Sequence, residues 1–516
     1  MHNTTRAFLL IAVLSFPFNG RCQSFGTIDE SYASSGVAIF NDHGSEYPLD
    51  LVLRPNGSEY ILSVDIDLGT ATILAVTPEG SPDNSFSGDG WLSVSSPNED
   101  VGFLDGKVDA SGRLVVFGGV GPEEPDFDPL IQRYQTNGSL DASFGGPQGL
   151  RLSYPGGAVA VDGAILPDGK MVVLLQSFGE NSAVLVKLSS TGQVETGFGT
   201  NGYALIAPLA GMEVQPEHLL VLPSGKFMVG ANMDPVDEGT SPACFVQLTA
   251  TGELDGSFGE DGWLVIDLAP GTQPWLDQTF LADMGLLPGG DVSAILSAPS
   301  FEELDQLVSI QIPADGADGC LGLDPVTEEG YQAECAVTLA GGTALVCSSL
   351  YNNESRVAHV IGDCHVDQSL GGTGFIPMTG LASLNAYPEV MVRRNDGRVD
   401  VLMSVFSLVG PSYSVIVRLH ADDVAGVADA GASAAVLRIE PQPVTGDVLH
   451  IRSIGALDKS LQLVGLDGRW VTDPRSTVNS DGRYRVEIPP VVGNGTYILR
   501  GMVDAHPFAR AVIVQR

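Results

Sequence analysis

From residue 36 to residue 420 the chain reads as short apolar runs separated by turns rich in glycine. No stretch there keeps an apolar i, i+3, i+4 period long enough to predict a helix. Pairs of hydrophobic runs flank turns that end in glycine: Pro55-Asn-Gly57, Ala110-Ser-Gly112, Pro167-Asp-Gly169, Pro223-Ser-Gly225, Pro288-Gly-Gly290, Ala340-Gly-Gly342 and Asn395-Asp-Gly397. Each reads as a hairpin, with glycine supplying the positive φ that a tight turn needs. A further apolar run follows each hairpin: Ile73–Val76, Leu130–Tyr134, Val184–Leu188, Cys244–Leu248, Leu307–Ile312, Val357–Ile361 and Ser414–Leu419. Both series have seven members.

A third series fixes the repeat. Gly138-Ser-Leu-Asp-Ala-Ser-Phe-Gly145 recurs as Gly252-Glu-Leu-Asp-Gly-Ser-Phe-Gly259 and Gly192-Gln-Val-Glu-Thr-Gly-Phe-Gly199. Weaker copies begin at Gly80 and Gly26, and the aromatic positions Tyr32, Phe86, Phe144, Phe198 and Phe258 lie 54 to 60 residues apart. Units of this length holding four short strands predict propeller blades. The first strand, Val37–Phe40, has the phase of a fourth strand, whereas the last unit stops after its third, at Leu419. The expected fold is therefore an all-β, seven-bladed β-propeller over residues 23–420. Its amino-terminal strand should complete the last blade and remove a free edge. The G-x-L-D-x-S-F-G-x-x-G motif and the upstream P-D-G-K turn resemble the delta-60 repeat of exported bacterial proteins. That resemblance implies the propeller but no particular activity.

Residues 421–434 are small and acidic and read as an Ala/Asp/Gly linker. Residues 435–516 alternate over short runs with turns between them, which predicts a small immunoglobulin-like β-sandwich. Pro441-Gln-Pro443, Leu466-Asp-Gly468 and Gly495-Thr-Tyr-Ile-Leu resemble the type A carboxy-terminal sorting domain of the type IX secretion system of Bacteroidetes. The resemblance implies the type IX secretion machinery as a partner of residues 435–516, with release or surface anchoring to follow. At the other end Arg6 precedes an apolar run, Ala7–Phe18, too short to span a bilayer and of the length of a signal-peptide core. Residues 1–22 thus read as a signal peptide and the protein as secreted or displayed on the outer surface, with no transmembrane segment.

The 516 residues include 63 acidic and 25 basic side chains, a formal net charge of −38, and only five lysines. Such a surface repels phosphate backbones, so nucleic acid is not an expected partner. Five cysteines follow the leader, Cys244, Cys320, Cys335, Cys347 and Cys364. Export permits a disulfide among them, their pairing is not legible, and Cys244 is the expected free thiol. No C-x-x-C or H-x-x-x-H spacing supports a metal, and no cofactor is expected.

A catalytic constellation occurs once, whereas Asp83, Asp141 and Asp255, with Phe86, Phe144, Phe198 and Phe258, recur from unit to unit. These are expected to be scaffold, the acid accepting backbone N–H groups and the ring filling the wedge between blades. Lys170 and Lys226 read as surface hairpin residues. Function should lie where the repeat departs from itself, in the loops between second and third strands. These carry Asp65, Asp67, Glu123, Glu124, Asp126, Asp128, Glu180, Asp234, Asp237, Glu238, Glu302, Glu303, Asp305 and Glu354 on one rim, against Arg356. The expectation is a non-enzymatic binding or scaffold protein whose rim meets a glycan or a basic protein surface. A propeller-type extracellular polysaccharide hydrolase or lyase is the alternative.

Overall fold

The computed structural model describes residues 25–421, apart from loop stretches such as 268–278 and 299–305, and the strands between Leu437 and Val514. The expected signal peptide, and the linker beyond Ala421, lie outside the described residues.

The first blade is a radial, antiparallel sheet of Glu46–Leu53, Glu59–Asp65, Thr70–Val76 and Trp91–Val94. Five more sheets of four consecutive strands follow, with innermost strands Asp100–Val108, Ala158–Ile165, Met212–Val221, Phe280–Leu286 and Tyr331–Leu339. Six blades, rather than the expected seven, are thus each drawn from one continuous stretch of chain. The last three ring strands, Ala386–Arg393, Val399–Val405 and Tyr413–Leu419, take their fourth partner from the other end of the sequence. Val37–Phe40 pairs there antiparallel, Val37 opposite Val417 and Phe40 opposite Ser414. The physical reason is the phase of the chain, which starts with an outermost strand and so leaves the final sheet one strand short. Innermost strands succeed one another around a central channel, and Ala386–Arg393 packs back against Glu46–Leu53.

Adjacent blades share their cores. Phe86 of the first blade packs with Leu114 and Val116 of the second, and Phe198 of the third with Phe227 and Val229 of the fourth. Full burial of such a ring is worth about 1.5–3 kcal/mol in transfer alone. All innermost strands also break register at one place, between Pro48 and Asp50, Phe103 and Asp105, Ala160 and Asp162, Pro216 and His218, Leu281 and Asp283, Ala333 and Cys335, and Pro388 and Val390. Such a β-bulge turns neighbouring side chains toward the channel.

The carboxy-terminal region forms two four-stranded sheets. One runs Leu437–Glu440, Val448–Ser453, Tyr484–Glu487, Arg475–Val478, and the other Trp470–Thr472, Gln462–Gly465, Gly495–Val503, His506–Val514. No helix among the described residues is long and apolar enough to cross a membrane.

Candidate functional site: the loop face and the central channel

The repeated motif builds one end of the ring. Asp141 Oδ1 accepts from Ser143 N at 3.1 Å and Ser143 Oγ at 2.6 Å. Its other oxygen meets Arg133 Nε at 2.8 Å and Arg113 Nη1 at 2.9 Å. Asp83 is held alike by Ser85 and by Arg54 at 3.3 Å, and Asp255 by Ser257 and Lys226. Burial alone would raise Asp141, but Ser143 and Arg133 bring it down to about 2. Hydrogen bonds from Lys226 and then Ser257 hold Asp255 at about 2. Lys170 and Lys226, half-exposed on their hairpins, therefore take part in this lock, Lys170 on Glu195 at 2.8 Å. The sequence carried the signal, since Arg113, Lys170, Lys226 and Arg398 each directly follow the turn glycine.

Phe86, Phe144, Phe198 and Phe258 are buried. Each of the first three lies against the turn of the next blade: a Cβ at Gly138, Gly192 or Gly252 would come within 3.4 Å of Phe86, Phe144 or Phe198. Arg133 stacks over Phe144 with 4.9 Å to the centroid. At the closure the amino-terminal copy of the motif supplies the same parts, for Arg418 stacks 3.6 Å over Tyr32 and Arg398 bonds Asp29 at 2.9 Å.

The opposite end carries the loops between second and third strands. Asp126 and Asp237 are exposed there. Asp128 is paired with Arg151 Nε at 2.8 Å, and Arg151 also bridges to Glu99. Asp234 accepts from Gln215 Nε2 at 2.5 Å. Asp65, expected on the rim, is buried and accepts the amides of Asp67 and Leu68 within its own turn. Glu123, Glu124, Glu238, Glu302, Glu303, Asp305 and Glu354 lie outside the described residues or their described side chains.

Sequence reading missed the channel altogether. After the bulge, Asp50 Oδ2 accepts Gly106 N of the next blade at 2.8 Å, Asp105 accepts Gly163 N at 3.1 Å, Asp162 accepts Leu219 N at 2.6 Å and Asp283 accepts Ala336 N at 3.1 Å. At four interfaces one aspartate thus staples innermost strand to innermost strand. Glycine at 106 and 163 permits the approach, because a Cβ would fall within 2.8 Å of Val52 and 2.3 Å of the Phe117 ring. Burial pushes Asp50 and Asp283 upward, and Asp105 well upward with help from Asp162. Lys107 opposes this, paired with Asp105 and 3.2 Å from Asp162. The available signal was the spacing of Leu-Asp, Leu-Asp-Gly, Val-Asp-Gly and Ala-Asp dipeptides, which follows the repeat.

Three bulges depart from aspartate, at His218, Cys335 and Val390. The channel encloses about 880 Å³. Its wall carries the bulged residues Leu49, Leu104 and Val161 from three successive blades, and Glu217 and Glu389 from others. Glu217 accepts from Asn232 at 3.1 Å, while Glu389 accepts from Tyr47 at 3.0 Å and Ser404 at 2.5 Å. Burial raises the pKa of both glutamates. Cys244 is a buried free thiol, as expected, and Cys364 is disulfide-bonded. No cluster of metal-ligating side chains occurs among the described residues.

Residues 105–144 match the model described as "Domain of unknown function (DUF5122) beta-propeller". No curated protein matches. Among solved structures, a protein of unknown function from Dyadobacter fermentans is 10% identical over 75% of this chain and 98% of its own, with a TM-score of 0.38. A polysaccharide lyase, ulvan lyase, is 11% identical over 78% and 98%, with a TM-score of 0.46. The aldose sugar dehydrogenase of Streptomyces coelicolor is 11% identical over 74% and 98%, with a TM-score of 0.38. The chain is an all-β protein folded as a β-propeller, with its match to that family falling in the second blade.

Proposed function

We propose that the chain is an exported, non-enzymatic binding or scaffold protein, whose ring presents an acidic loop face to a glycan or a basic protein surface. In this reading the composite sheet counts as a full blade, making the propeller seven-bladed. Residues 1–22 direct export. Residues 435–516 form an immunoglobulin-like sandwich that the type IX secretion machinery reads, leaving the ring secreted or on the outer surface.

The observation that carries the binding reading is the division of charge between the two ends. Arg54, Arg113, Arg133, Lys226, Arg398 and Arg418 are committed to the motif end, where they neutralise its aspartates. The loop end keeps exposed carboxylates such as Asp126 and Asp237. A negative face raises the local concentration of cations and steers basic partners. Screening over about 8–10 Å at physiological salt makes such binding salt-sensitive.

The test is a glycan and basic-protein array probed with the ring, then titration of any hit. Binding should weaken steeply as salt rises and when Glu123, Glu124, Asp126 and Asp128 are changed together to their amides. A ligand indifferent to both would reduce the face to a solubility device. For the tail, deletion of 435–516 should leave a folded ring behind in the periplasm, and normal arrival outside the cell would refute its role.

A further inference from the structure

The repeat loses its wedge phenylalanine between the fifth and sixth blades. In the fourth blade Phe258 lies in the connection between third and fourth strands, residues 249–262. The fifth blade joins Gln306–Ile312 to Cys320–Pro325 through 313–319 alone, Pro-Ala-Asp-Gly-Ala-Asp-Gly, which contains no aromatic residue. The sixth blade departs from the repeat at the matching place. Gly138, Gly192 and Gly252, at φ of +85° to +88°, each donate their N–H to the carbonyl three residues back, in the turn that meets the previous blade's phenylalanine. In the sixth blade the same bond, from Cys364 N to Ile361 O at 2.9 Å, belongs to a cysteine at φ +63°. That cysteine is the disulfide-bonded one.

Backbone register identifies its partner. Leu307 packs with Ala358 and Val360 of the sixth blade, and Ser309 Oγ donates to Cys364 O, so alternate residues of this strand face the sixth blade. Gln311 is the next position on that face, and Cys320 pairs directly opposite it. Directly opposed residues share a face. Position 320 is therefore turned toward the sixth blade, at the end of the strand where Cys364 lies. Cys347 pairs with Arg356, four residues before Val360, while Cys364 lies beyond Val360 in the turn closed by the Val360–Val366 bridge. At about 3.3 Å per residue that is a separation of at least about 13 Å, whereas a disulfide needs Cα atoms roughly 4.4–6.8 Å apart. Cys335 packs with Val401 and Met403 on the other face of the sixth blade, and Cys244 is the buried free thiol of the fourth. We infer that Cys320 and Cys364 form a disulfide, which ties the outermost strand of the fifth blade to the turn of the sixth in place of the missing phenylalanine. As it forms, the two thiols pass two protons and two electrons to a disulfide oxidant, which leaves as two thiols. The inference rests on the export reading only in setting Cys22 aside with the leader.

The experiment is peptide mapping by mass spectrometry of the full chain, prepared without reductant, its free thiols alkylated, and cleaved after Asp and Glu. Such cleavage places Cys320 in 319–324, Cys364 in 364–367, and Cys335 with Cys347 in 335–354. The first two peptides should appear as one linked species that a reductant splits. Linkage of 364–367 to 335–354, to a peptide holding Cys22, or to a second copy of the chain would overturn the assignment, as would alkylated Cys364. Intact mass separately reports whether residues 1–22 have been removed, so failure of the export reading is read apart from failure of the pairing. Cys320→Ser and Cys364→Ser should each lower the melting temperature by about 3–8 °C. The double variant should fall no further than either single one, because all three lose the same bond. Additive losses would contradict a shared bond, and if the variants fail to fold the mapping of the parent chain decides.

Discussion

Asp400 shows most directly what a single residue does in this ring. It is fully buried and holds Arg394 Nη1 at 2.6 Å and Arg418 Nε at 2.7 Å, while Arg394 also reaches Glu59 at 2.8 Å. Burial, and then the neighbouring Asp400, push Glu59 well above the usual carboxylate range, while Arg394 and Arg418 oppose this. Removing that charge takes the carboxylate from Arg418 and leaves Arg394 dependent on Glu59. Asp400→Asn should cost about 3–5 kcal/mol in urea unfolding, as breaking a buried pair does. Glu46 makes a different prediction. Burial and the nearby Asp65 raise it to about 7, against 4.5 unperturbed. A raised carboxyl contributes stability below its unfolded pKa and loses it as pH rises through the folded one. The melting temperature should therefore fall between pH 5 and pH 8, and Glu46→Gln should flatten that part of the profile. Asp141 and Asp255, held at about 2, work in the opposite sense. Their stabilisation is present above about 4 and disappears as acid takes the protein through pH 2.

Among elements, Val37–Phe40 and the motif segment before it carry a disproportionate share of the closure. Ala38 and Phe40 are buried, Phe25 packs with Val357 and Met403, and Gly26 N donates to His420 O at 2.8 Å. Deleting residues 23–42 removes Tyr32 from beneath Arg418 and leaves Tyr413–Leu419 as an unpaired edge. An unprotected edge pairs with other chains. The truncated protein should aggregate on gel filtration and be cut by protease near residues 399–419. Melting and elution like the parent would contradict the closure. The wedge aromatics act between elements as well. Phe144→Ala should cost about 3–5 kcal/mol, because the cavity it leaves lies between two rigid sheets that collapse poorly.

For the molecule as a whole, the repeated cations are paired with acids at the motif end, while Asp126 and Asp237 are exposed among the described residues of the loop end. Raising salt should change the ring's stability far less than its binding, since the locks are short, partly buried contacts whereas Asp126 and Asp237 of the loop end are exposed. Thermal melts from low to high salt, run beside the array titrations, check this.

How much of this was written in the sequence depends on the range of the interaction. Strand positions, the hairpin glycines, the burial of Phe86 and Phe144, and the pairing of Val37–Phe40 with the last sheet were all legible. Each follows from local periodicity or from the phase of a repeat, and both are carried by neighbouring residues. The aspartate in the motif was legible as a turn acceptor, but a cation that meets it lies more than twenty residues away, at Arg113 or Lys226, and only the hairpin's folding brings the two together. Asp65 belonged to an acidic loop in sequence yet is consumed by its own turn. The bulge is the clearest limit. An extra residue in an innermost strand shows no periodicity break unless the partner register is known, and that register exists only in the sheet. The sequence by itself therefore determined the repeat, the blade and the closing strand, all of them local or periodic. Only the tertiary structure decided that Asp50, Asp105, Asp162 and Asp283 staple innermost strands together and that Glu217 and Glu389 line a common channel. Those facts depend on which side chains distant parts of the chain place against each other.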